Sequence, residues 1–171
     1  MDAMMIRFKD ALGMALLAGL ALAVSAPPAT AQATKQSAVQ APKPPVPDRK
    51  PHRLILQVNT NDPAMMNLAL NNATNVAQYY QELGEKVEIE VVTFGPGLHM
   101  LRDDTSPVKA RISTIALSTP AISFKACGNT QGNMSKAENK QIALIPEATV
   151  VKSGVVRVME LQEKGWTYVK P

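Results

Sequence analysis

From His52 onward, short apolar runs alternate with stretches whose apolar positions recur every three or four residues. Five runs read as strands: Arg53–Asn59, Val87–Phe94, Ile122–Ala126, Ala148–Val151 and Trp166–Val169. Helical signals separate them. Asp62 can cap a first helix with Pro63 at its first position. Met65, Ala69, Ala73, Val76, Tyr80 and Leu83 supply an apolar face, and Gly84 can end it. Ser106-Pro107 repeats the cap-then-proline pattern ahead of Val108, Ile112 and Ile115. Ser135-Lys136-Ala137-Glu138 fits a capping box. Ser153 can cap a last helix through Val155, Val158, Met159 and Gln162 that stops at Gly165. The order β-α-β-α-β-α-β-α-β predicts an α/β fold with a five-stranded, mainly parallel sheet. Aromatics make up only 4% of the chain, which suits a core of small aliphatic side chains.

The first residues read as an address. Arg7 and Lys9 precede an apolar stretch, Ala11–Val24, too short for the roughly 20 residues of a spanning helix. Ser25-Ala26-Pro27-Pro28 breaks it, and Ala29-Thr30-Ala31 is an A-x-A cleavage signal. Residues 1–31 are therefore expected to be a secretory signal peptide, giving a periplasmic protein with no membrane attachment after cleavage. A retained N-terminal anchor is the alternative. Residues 32–51 form a proline-rich linker, with Pro42, Pro44, Pro45, Pro47 and Pro51 close together. The domain spans 52–171.

This division relocates the charge. The formal net charge is +4. The leader balances Arg7 and Lys9 against Asp2 and Asp10, while Lys35, Lys43, Arg49 and Lys50 sit in the linker with Asp48 alone opposing them. The domain itself is nearly neutral, which argues against nucleic-acid binding. One Cys excludes an internal disulfide framework or a multi-thiolate metal site, and two His disfavour a His-only one.

In open parallel sheets, ligands gather beyond the carboxyl ends of the strands. Three loops fall there: Asn59–Asp62, Gly95–His99 and Cys127–Thr130, with Lys152-Ser153-Gly154 a lesser fourth. Cys127 is the sharpest candidate. It ends the third strand where a helix can begin, and a thiol at a helix N-terminus is biased toward the nucleophilic thiolate. Lys125, two residues earlier, lies on the same side of the strand. The competing reading is a small buried apolar residue. His99, after Gly95-Pro96-Gly97, is a candidate base or ligand-orienting group, against a plain capping or surface role. No phosphate loop and no G-x-S-x-G elbow is present. His99, Met100 and Cys127 raise a weaker possibility of soft-metal binding.

The domain resembles the DsrE/DsrF-like family, particularly its small exported members. The resemblance rests on Leu56-Gln57-Val58 running into Asp62-Pro63, on Asn71-Asn72, and on Val91 through Phe94-Gly95-Pro96-Gly97-Leu98. It also rests on Phe124-Lys125-Ala126-Cys127-Gly128-Asn129-Thr130 and on Gly154-Val155-Val156-Arg157. It implies a three-layer α/β/α fold and homotrimers or hexamers. Some cytoplasmic members carry sulfur as a persulfide on a cysteine after the third strand, the position of Cys127. This chain lacks their arginine-rich stretch, with Gln131-Gly132-Asn133 in its place.

The leading expectation is a periplasmic carrier that holds or passes sulfane sulfur on Cys127, using a sulfur donor or acceptor as partner. Gly128, Asn129 and Thr130 would stabilise the anion, and His99 and Asn61 would line the crevice. No metal or organic cofactor is implied. The rival is a non-catalytic oligomeric module that binds a small ligand or a partner through the same crevice, with Cys127 structural.

Overall fold

The computed structural model describes residues 50–171. The expected signal peptide over 1–31 and all but the end of the proline-rich linker over 32–51 lie outside the described residues. Five strands form one sheet: β1 (His52–Val58), β2 (Val87–Thr93), β3 (Ile122–Cys127), β4 (Ala148–Val151) and β5 (Thr167–Val169). Their order is β4-β3-β2-β1-β5, and every pairing is parallel. Four helices connect them: α1 (Pro63–Leu83), α2 (Lys109–Ser118), α3 (Gly128–Glu138) and α4 (Gly154–Glu163). A 3-10 segment, Gly95–Leu101, follows β2.

The strand order dictates which helix lies where. From β1 to β4 the chain steps toward one edge, and the last step returns across the sheet to β5. Parallel crossovers are right-handed, so the reversal moves α4 to the opposite face from α1, α2 and α3. The two apolar clusters follow this division. One holds Leu54, Leu56, Ile89, Val91 and Phe124 with Met66, Leu70 and Ile112, and Met134 of α3 packs at its margin. The other is smaller and joins Ile55 and Val92 to Val158 and Leu161 of α4, flanked by Phe94, Trp166 and Tyr168. The fold is thus a three-layer α/β/α domain, as expected.

The strand expectations shift by about one residue, and several helical ones need correction. Asp62 does cap α1, accepting from the Ala64 amide at 2.8 Å, and Gly84 ends it in the left-handed region. Its buried stripe, however, is Met66, Ala69, Leu70, Ala73 and Ala77. Leu83 is exposed, and Met65 and Tyr80 are only half-buried. Ala69 and Ala73 lie on the buried face as expected, but Met66, Leu70 and Ala77 complete it in place of Met65, Tyr80 and Leu83, so the face is rotated by about one residue. Helix α2 starts at Lys109, beyond Ser106, whose hydroxyl instead donates to the Met100 carbonyl at 2.6 Å. Ser135–Glu138 does not begin a helix; it is the last turn of α3, which Asn139 closes in the left-handed region. In α4 the Ser153 cap is as expected, but Val155 and Met159 are exposed, and Gly154, Val158 and Leu161 are buried.

Candidate functional site

At the carboxyl ends of β3 and β4 the chain turns to opposite faces, into α3 and α4. This is the topological switch point, where a parallel sheet opens a crevice between diverging connections. Cys127 lies there as the last residue of β3 and the cap of α3. Its sulfur accepts from the Thr130 amide at 3.4 Å. The Gly154 and Asn129 amides and the Thr130 hydroxyl lie near it and favour its charged form. The sulfur therefore meets the N-termini of two helices, α3 from its own chain and α4 from across the switch. Burial pushes the thiol up, but these donors outweigh it, so Cys127 is held below the usual thiol range. Only 4% of the residue is exposed.

The packing around the sulfur explains the residues beside it. A side chain at Gly154 would meet Phe94 Cδ1 at 2.8 Å and the Cys127 Cβ at 3.2 Å, so only glycine lets the start of α4 approach this closely. Thr130 joins two elements: its Oγ1 accepts from the Gly95 amide at 3.0 Å, and its hydroxyl hydrogen is left for the sulfur. Gly97 holds the other side of this loop close to β1, since a Cβ there would lie 2.1 Å from the Val58 carbonyl oxygen. The Asn129 amide donates to the Lys152 carbonyl at 3.2 Å, tying the two loops of the switch together.

An open cleft of about 600 Å³ at the start of α4 is lined by Asn129, Lys152, Ser153, Val156, Arg157 and Glu160; Cys127 is not in its wall. Its charges are unequally engaged. Arg157 donates from Nε to buried Glu90 at 2.9 Å, which keeps its guanidinium firmly charged. Lys152 is exposed and makes no ion pair among the described residues.

The other expected residues are less central. Gly128 packs with the position of its absent Cβ 3.1 Å from Val150 and takes no part in bonding the sulfur. His99 lies in the 3-10 segment and shares a 2.8 Å hydrogen bond with Thr105 rather than with Cys127. Asn61 is exposed in the loop after β1, two strands from Cys127, about 10 Å across the sheet. Neither is joined to the sulfur as a base. Met100 is fully buried in the larger core cluster, so His99, Met100 and Cys127 are not a convergent soft-metal set. Among the described residues no group of three or more His, Cys, Asp or Glu side chains could hold a metal ion.

Two features went unread in the sequence. One is the close approach of Gly154 to Cys127, signalled only by its place after the Ser153 cap at the end of β4. The other is Arg102, 1% exposed, whose guanidinium grips Asp104 at 2.8 Å and Glu138 at 2.9 Å. Lys140 joins both carboxylates. Arg102 holds Glu138 down at about 2 and Asp104 lower still. Nothing local marks Arg102, because Glu138 lies 36 residues away.

No protein-family model matches the chain, and no curated protein matches it. Among solved structures it is similar to a protein of unknown function, MTH1491, from Methanobacterium thermoautotrophicum. The two are 28% identical with a TM-score of 0.59, over 70% of this chain and 99% of that one. Among the described residues no helix is long and apolar enough to cross a membrane. This similarity is consistent with the fold described above and carries no activity.

Proposed function

We propose that this is an exported DsrE/DsrF-like protein that holds or transfers sulfane sulfur as a persulfide on Cys127. The observation that carries the reading is the convergence of two helix N-termini on one thiol, which favours both the thiolate and a terminal persulfide anion. The cleft beyond Asn129 and Ser153 offers an anionic donor one cation unpaired among the described residues, Lys152, while Arg157 there is engaged by Glu90. With thiosulfate, the thiolate attacks the sulfane sulfur, the S–S bond of the donor breaks, and sulfite leaves with its electron pair. The product is Cys127–S–S⁻, and the charge balances. An inorganic polysulfide reacts the same way and leaves one sulfur shorter. Thr130 and the Gly154 and Asn129 amides stabilise the anion before and after transfer. His99 and Asn61 act at most as outlying crevice residues.

The leader-like residues 1–31 support export to the periplasm, and the family resemblance supports a homotrimer or hexamer. Light scattering of the purified domain reads the second directly. The burial of Cys127 favours a rival, a non-catalytic oligomeric binding module with a structural cysteine. Intact mass after incubation with thiosulfate or polysulfide separates the two. A carrier gains sulfur mass that a reductant removes and that Cys127→Ser, still folded, never acquires. An unchanged mass in the folded wild type favours the binding module.

A further inference from the structure

A displacement at sulfur needs a path of approach, and the closed site gives Cys127 almost none. Three elements meet around it: the first turn of α3, whose Thr130 amide donates to the sulfur, the start of α4 at Gly154, and the 3-10 segment, tied to Thr130 through Gly95. Of these, α3 is held least by packing. Its sequence, GNTQGNMSKAE, carries two Gly and two Asn, which are poor helix formers. Helices in folded proteins draw most of their stability from a buried apolar face, and no residue of α3 is buried.

Apart from Met134 at the margin of the main core, polar contacts take the place of that face. Thr130 Oγ1 accepts from Gly95, and Gln131 Nε2 donates to the Ile142 carbonyl at 2.8 Å. At the far end of the helix, Glu138 closes on Arg102. Arg102 is itself fixed in the body of the domain, buried and doubly bonded to Asp104. One side of this ion pair is therefore rigid and the other belongs to the helix. Segments with few buried apolar contacts open at a fraction of the cost of global unfolding.

We propose that α3 is a lid over Cys127, latched by the Arg102–Glu138 ion pair, and that it opens without global unfolding to admit the reagent that reacts at the sulfur. Opening withdraws the donors of α3 but leaves the Gly154 amide in place, because α4 is anchored separately by Val158 and Leu161. The purpose of the lid rests on the carrier reading above; its motion does not.

Alkylation of Cys127, the single cysteine, by N-ethylmaleimide in the full native chain tests this through a urea series below the unfolding transition. A lid gives a rate that exceeds what global unfolding allows and rises only weakly with urea, since little surface is exposed. Glu138→Gln should raise that rate about ten-fold by weakening a charge-assisted bond. Gly132→Ala should lower it about three-fold, because alanine favours the helix and its Cβ meets nothing within 4 Å. Ile112→Val weakens the main core from α2 without altering the polar contacts of α3, and should leave the low-urea rate unchanged. The proposal is overturned if alkylation tracks global unfolding in urea. It is equally overturned if Ile112→Val accelerates it as much as Glu138→Gln. Should Glu138→Gln fail to fold, an unchanged rate in Gly132→Ala overturns it alone. Sulfur loading is not read in this experiment. A chain that opens this way yet takes up no sulfur keeps the lid and loses the carrier function.

Discussion

Helices α1 and α3 lie on the same face of the sheet and are held there by opposite means. The first is 21 residues long, capped by Asp62 and closed by Gly84, and it buries Met66, Ala69, Leu70, Ala73 and Ala77. The second is 11 residues long, is capped by the sulfur of Cys127, and has no fully buried residue, only Met134 at the core's margin. Stability and chemistry are thus assigned to different helices. The element that builds the core is remote from the reactive atom, and the element that shelters the reactive atom contributes little to the core. Such a division lets a site move while the fold stays intact.

Truncation tests the contrast most strongly. Leu70→Ala should cost about 3 kcal/mol, as expected for deleting a fully buried leucine. Met134→Ala in α3 should cost less than about 1 kcal/mol, because that side chain is only half-buried. Urea unfolding of both variants measures the gap, and equal losses would erase the distinction between the helices. Arg102→Met should come next, at about 2 kcal/mol. It removes a buried cation, but the carboxylates left behind can reach water. Loss of the α1 cap in Asp62→Ala should cost about 1 kcal/mol by the same measurement.

The smallest effect is expected from acid. Arg102, and then Lys140, hold the carboxyls of Asp104 and Glu138 below the ordinary range near 4. Their folded-state values are depressed, so the stabilisation is present above that range and is lost as pH falls through the folded values, about 2 for Glu138. Arg102 and Lys140 stay charged throughout. Amide hydrogen exchange, corrected for intrinsic pH dependence, should show α3 loosening between about pH 4 and 2 while α1 stays protected. Parallel loss in both helices would mean that the latch is not local.

Much of this architecture was legible because it is written in short-range patterns. The strands announce themselves as apolar runs, and Asp62, Gly84 and Ser153 mark helix ends through bonds to their own backbone neighbours. The reading failed where partners are distant or small. On α1 the adjacent Met65 and Met66 leave the frame open by one residue, and it is Met66 and Leu70 that are buried; Ser135–Glu138 imitated a helix start inside a helix that begins at Gly128. The site divides the same way. Cys127 stands out by its position at the end of β3, and Thr130 follows it closely. Gly154 reaches the sulfur only through the crossing from β4 to α4, and Arg102 meets Glu138 only through tertiary packing. Neither carries a local signal. His99 looked more central than it is because sequence places it near a strand end but does not reveal its hydrogen bond to Thr105.

The central claim is that two converging helix N-termini hold Cys127 toward its thiolate form. Ultraviolet absorbance of the thiolate, followed as pH is raised in the native protein, reads this directly, because the chain has one cysteine. The account predicts a midpoint below the usual thiol range that moves upward in Thr130→Val, which loses the hydroxyl beside the sulfur. A midpoint at or above the usual range in the folded wild type would contradict it.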